Sequence, residues 1–63
     1  MYYRINVSFK GAHFFDTGES VTNSDHAIRV LFELRKAFSE KDGWKIDVTL
    51  WKLRGEPVNL LST

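Results

Sequence analysis

Residues 2 to 10 read Tyr-Tyr-Arg-Ile-Asn-Val-Ser-Phe-Lys, and their alternation limits the possible folds more than any other feature. Tyr3, Ile5, Val7 and Phe9 fall on one side at period two, and Arg4, Asn6, Ser8 and Lys10 on the other. On a helix these apolar residues would scatter around the axis. On a strand they make one face that needs covering and one that faces water. The chain must therefore build a sheet and supply a lid for one side of it. Lys10-Gly11-Ala12-His13 reads as a tight turn in which Gly11 takes the positive φ. A shorter second strand follows over 13–17, stopped by Gly18. Whether Phe14 or Phe15 faces inward depends on the hairpin register and stays open.

The lid is a helix predicted over about 24–41. Thr22, Asn23 and Ser24 are all good N-cap residues, and Asp25 near the start with Lys41 near the end suits the helix dipole. Asp42-Gly43 ends it, with Gly43 suited to a left-handed cap. Ala27, Leu31, Leu34 and Phe38 form the sheet-facing seam. Val30 and Ala37 lie on one flank, Ile28 and Phe32 on the other. The apolar arc spans roughly 200°, about twice what one sheet covers. Val58, Leu60 and Leu61 folding back, a second subunit, or a partner protein could each cover Ile28 and Phe32.

A third strand is predicted over 44–53, with Trp44, Ile46, Val48 and Leu50 inward and Lys45, Asp47, Thr49, Trp51 and Leu53 on the other set. Gly55-Glu56-Pro57 reads as its break, because Pro57 has no N–H for a ladder. Residues 58–63 read as a tail, either a short arm or a fourth edge strand. A right-handed crossover then gives an α+β fold: a single ββαβ domain over 1–63, a three-stranded antiparallel sheet in the order 2-1-3, and one helix on one face. Its expected core is Tyr3, Ile5, Val7, Phe9, Leu31, Leu34, Phe38, Trp44, Ile46, Val48 and Leu50.

Sixty-three residues, 43% of them hydrophobic, make a core that is sufficient but small. Chains below about 70–80 residues usually recruit a metal, disulfides or a second chain. There is no cysteine, and the two histidines, His13 and His26, have no four-ligand spacing around them. A homodimer is the remaining expectation. A third strand ending the sheet would pair with its symmetry mate, with Ile28, Phe32, Trp51 and Leu53 as the candidate interface.

Nine basic and eight acidic residues leave a net charge of +1, which argues against binding nucleic acid by bulk electrostatics. The outer face of the sheet still gathers Tyr2, Arg4, Lys10, Lys45 and Trp51, the ingredients of a stacking platform for single-stranded bases. Asp47 among them favours an ordinary solvated face. No stretch is long and apolar enough for a membrane span, and Met1-Tyr2-Tyr3-Arg4-Ile5-Asn6 does not open a signal-peptide core. With no cysteine, a cytoplasmic location is expected. Gly11, Gly18, Gly43 and Gly55 are scattered one per turn, so no phosphate loop is present. So small a sheet is also expected to lack the ~300 Å³ of concave volume that substrates need. Neither an enzyme nor a cofactor or metal site is expected.

The compact ββαβ plan, with its Lys-Gly-Ala-His hairpin and Asp-Gly-Trp helix exit, is similar to small accessory proteins of phages and mobile elements. That resemblance implies binding and inhibition of one host protein, and with the dimer argued above the expected function is a non-enzymatic, homodimeric protein-binding module, an accessory or inhibitor that occupies a partner's surface. A small nucleic-acid-binding protein is the alternative.

Overall fold

A computed structural model describes residues 1–60 of the chain. The alternating segment forms β1 (Tyr2–Phe9), the second strand β2 (Ala12–Asp16) and the third β3 (Trp44–Trp51). A single helix, α1 (Ser24–Ala37), crosses one face. The α+β class and the 2-1-3 core of the sheet are as the sequence implies. The sheet, however, has four strands in the order β2-β1-β3-β4, with β4 at Gly55–Pro57.

The fourth strand forms from the segment read as a breaker, and the ladder geometry explains why. Lys10 donates its N–H to the Gly43 carbonyl at 3.0 Å, so odd-numbered residues along β3 aim their backbone groups at β1. Even-numbered ones aim outward, as Val48 does in accepting the Val58 N–H at 2.9 Å. Pro57 lies opposite Thr49, a position that exchanges no bond on that side. Its missing N–H costs nothing there, as is usual for proline on an edge strand. The third strand accordingly stops at Trp51 rather than 53. Lys52, Leu53 and Arg54 form the connecting turn, in which Lys52 N–H donates to the Arg54 carbonyl at 3.2 Å.

β1 and β3 pair along their full length, Tyr3 with Leu50, Ile5 with Val48, Val7 with Ile46 and Phe9 with Trp44, so the inward sets coincide. β2 pairs only with Asn6–Phe9. Beyond it, Thr17 takes over: its hydroxyl accepts the Ile5 N–H at 3.0 Å and its N–H donates to the Ile5 carbonyl at 3.1 Å. Val21 then accepts the Tyr3 N–H at 2.7 Å. This loop buries Val21, which the sequence reading left out of the core. The buried set is Ile5, Val7, Val21, Ala27, Leu31 and Val48. Tyr3, Phe9, Leu34, Phe38, Trp44, Ile46 and Leu50, all expected inside, are half-buried, because one 14-residue helix is too short to roof the whole sheet.

The helix ends at Ala37, not near Lys41. Asn23 is the N-cap, its side chain accepting the His26 N–H at 2.8 Å. At the other end Ser39 turns extended, and its hydroxyl accepts the Lys41 N–H at 3.2 Å, starting a separate 3₁₀ turn over Glu40–Asp42. A serine hydroxyl competing for backbone in this way is a common reason for a helix to stop. Gly43, at φ 101°, caps that turn instead of the helix.

The β1–β2 turn has φ 48° at Lys10 and φ 86° at Gly11, the two positive values of a type I′ hairpin. Lysine is a poor residue for the first of these, where asparagine is favoured. Lys10→Asn is therefore expected to raise stability by about 0.5–1 kcal/mol. A thermal melt should move up by roughly 3–6 °C, and an unchanged or lower midpoint would show that the Lys10 side chain compensates for its strain.

Candidate protein-binding site

Two surfaces stand out as candidate binding sites. The first is the outer face of the sheet. Tyr2 and Trp51 sit opposite each other with ring centroids 6.4 Å apart and planes 20° from parallel. The Arg4 guanidinium carbon lies 5.7 Å from each ring centre, and Arg4 Nε is 3.9 Å from Asp16 Oδ1. Trp51 also lies against Gly55: a Cβ built there would stand 2.8 Å from the indole. Only glycine lets β4 approach so closely. The indole Nε1 is occluded and has no hydrogen-bond partner among the described residues.

These contacts engage the aromatic groups with each other. Lys10 does not join them, since its left-handed backbone lays the ammonium 5.3 Å over the Phe9 ring instead. Lys45 lies at the far end, 4.0 Å from Asp47. His13 pairs with Asp16 at 3.5 Å on the exposed edge strand. Of the five residues of the proposed nucleic-acid face, the fold brings together Tyr2, Arg4 and Trp51, and sets Lys10 and Lys45 apart.

The four candidate interface residues are also divided. Trp51 is on the outer face, while α1, carrying Ile28 and Phe32, packs on the inner one. Ile28 is half-buried, Phe32 is 57% exposed, and Leu53 stands fully exposed in the β3–β4 turn. Leu60 packs onto the cluster of Ile5, Leu31 and Val48, whereas Phe32, which the fold-back of the tail was expected to cover, stays exposed. Leu61 lies outside the described residues. The premise for pairing β3 with its symmetry mate needs correction: β4 and Val58 already occupy that edge from Val48 to Trp51.

The second surface was not singled out in the sequence. A bulge in β2 falls at Phe14, where Ser8 pairs with His13 but Val7 with Phe15. The extra residue turns both phenylalanines to the helix side. Phe15 meets Phe38 edge-on at 5.4 Å, and Phe14 meets Trp44 at 5.1 Å. Trp44 in turn contacts Phe9 and Phe38, each at 4.7 Å. Five aromatic rings thus close one end of the molecule, yet Phe14 remains 58% exposed.

Beside this cluster, between the end of α1 and β3, an open cleft of about 460 Å³ is lined by Arg35, Phe38, Glu40, Trp44 and Ile46, among others. A second, of about 620 Å³, continues from Arg35 and Ile46 to Val58 and Leu60. The expectation of no concave volume above ~300 Å³ is thus overturned, although both clefts open widely to solvent. Arg35 and Ile46 line both and join them into one groove along β3. Arg35 has no ion-pair or hydrogen-bond partner among the described residues.

No protein family, no curated protein and no solved structure matches this chain. What the groove can do follows from its own chemistry. Among the described residues no group of three or more His, Asp or Glu stands close enough to hold a metal ion, and no helix is long and apolar enough to cross a membrane. The groove instead offers an aromatic floor, an aliphatic edge and the Arg35 guanidinium, the combination that anchors a partner's side chains. Its one signal in the sequence was Arg35, a cation placed beside the apolar seam of the helix between Leu31 and Phe38.

Proposed function

We propose that the chain is a non-enzymatic protein-binding module whose working surface is the groove between the end of α1 and β3. The observation that carries this reading is the juxtaposition of half-buried Phe38 and Trp44 with Arg35, which has no partner among the described residues, along an open cleft. Aromatic residues and arginine are the side chains that dominate binding energy at protein interfaces. Exposed Phe14 and Phe32 extend the apolar surface and give a second copy of the chain somewhere to bind without using the β3 edge. Acting by occupying one partner's surface, as small accessory or inhibitory proteins of phages and mobile elements do, fits so small a scaffold, and a cytoplasmic setting fits its lack of cysteine.

The nucleic-acid reading has less support, because Tyr2, Arg4 and Trp51 are engaged with one another and with Asp16. Single-stranded DNA or RNA at ~50 mM salt, where phosphate contacts are strongest, is expected to leave tryptophan fluorescence unchanged. A salt-sensitive quench lost in Trp51→Ala would favour that alternative.

Affinity capture from the native cell tests the main reading, with wild type and Arg35→Glu compared side by side. Arg35 is exposed, so the variant is expected to fold. One protein recovered in near-stoichiometric amount by wild type and lost with the variant supports the groove. Identical recovery by both chains would rule it out as the working surface.

A further inference from the structure

We infer that the groove takes its partner as an added β-strand: an extended segment pairs with the open half of the β3 edge, sets a carboxylate on Arg35 and drops an apolar side chain into the Phe38–Trp44 cleft. This rests on the protein-binding reading above and names the form of what is bound.

The backbone carries the argument. Even-numbered residues of β3 aim outward, and β4 with Val58 satisfies that side only from Val48 onward. Trp44 gives its N–H to the Ser39 carbonyl at 3.3 Å. Between them, Ile46 presents both N–H and carbonyl to the groove with no strand opposite it among the described residues. Exposed backbone of this kind is the template for strand addition, and alternate side chains of the added strand then supply specificity. The opposite edge of the sheet is poorly suited, because the bulge at Phe14 breaks the regular spacing of β2.

Charge selects the side chain at the centre. Lys45 and Asp47 lie 4.0 Å apart and offset each other. Glu40 stands at the aromatic end of the cleft, so a carboxylate is favoured only beside Arg35, midway along the groove. A second copy pairing its own β3 antiparallel about Ile46 would run that strand into β4, and this favours a different chain as the occupant.

The test uses the full chain labelled with ¹⁵N and two end-blocked seven-residue peptides. Both alternate serine with valine; in one the middle valine is replaced by glutamate, in the other by lysine. The glutamate peptide is expected to slow hydrogen exchange at the Ile46 amide about tenfold, and to bind about tenfold more tightly than the lysine peptide. Arg35→Glu should reverse that preference. Strand addition is overturned if neither peptide at millimolar concentration slows Ile46, if protection falls on β2 instead, or if the two peptides bind alike. Ile46 already protected in a concentration-dependent dimer would also overturn it, in favour of self-pairing. If capture from the cell depends on Arg35 while Ile46 gains no protection, the protein-binding reading stands and strand addition alone fails.

Discussion

Ile5→Ala is expected to leave the chain largely unfolded at 25 °C. Ile5 is fully buried at the centre of the sheet, opposite Val48 and in the same cluster as Leu31. Truncating such a side chain costs about 2–5 kcal/mol in lost burial and residual cavity. A single core in a chain of this size supplies roughly 3–5 kcal/mol in all. The two hydrogen bonds between Ile5 and Thr17, worth about 1 kcal/mol net each, do not make up the difference, since they form alike in wild type and variant and cancel from the comparison. Urea titration followed by circular dichroism checks this, with Leu53→Ala as the control. Leu53 touches little in its exposed turn, so its truncation should change stability by less than about 0.5 kcal/mol. A melting point for Ile5→Ala within a few degrees of wild type would mean that the core lies elsewhere.

Trp44→Ala is expected to have the next largest effect, about 2–4 kcal/mol. The usual loss for a buried aromatic is about 3–5 kcal/mol, reduced here because Trp44 is only half-buried. Against that, Trp44 alone touches Phe9, Phe14 and Phe38, so its removal loses three ring contacts at once and leaves only the Phe9–Phe14 and Phe15–Phe38 pairs of the cluster. Each such pair adds about 0.5–1.5 kcal/mol beyond burial. Trp44→Phe should recover more than half of the loss. Phe38→Ala should cost less than Trp44→Ala, because Phe38 has two ring partners rather than three. Near-UV circular dichroism should lose most of its intensity in Trp44→Ala at concentrations of denaturant where wild type is native. A loss below about 1 kcal/mol would show that the aromatic end is surface decoration and not a second core.

The two surfaces differ in how well they could be read beforehand. The outer face was visible as a set, because period two places Tyr2, Arg4, Thr49 and Trp51 on one side whatever the loops do. Its chemistry was not visible, since Asp16 reaches Arg4 only through the β1–β2 register and Gly55 reaches Trp51 only through β4. The groove was hidden for a further reason. It is made by elements that end early: α1 at Ala37, and β4 after three residues. Where an element ends is a competition between near-equal local options, here the Ser39 hydroxyl against another helical turn.

Periodicity and turn chemistry alone therefore determined the strands β1 and β3 and their inward faces, the helix with its Ala27–Leu31 seam, the left-handed Gly11 and Gly43, and the 2-1-3 order of the sheet. Each follows from forces acting over a few residues, or from the handedness of a crossover. The tertiary structure decided what depends on register and on which backbone groups are left without a partner. The bulge put Phe14 and Phe15 on one face, Pro57 joined the sheet because its position opposite Thr49 asks for no N–H, and β4 stopped short of Ile46, which has no strand opposite it among the described residues. A one-residue slip in any of these pairings would reverse every side chain concerned, and no local preference in the chain is strong enough to settle that before the sheet assembles.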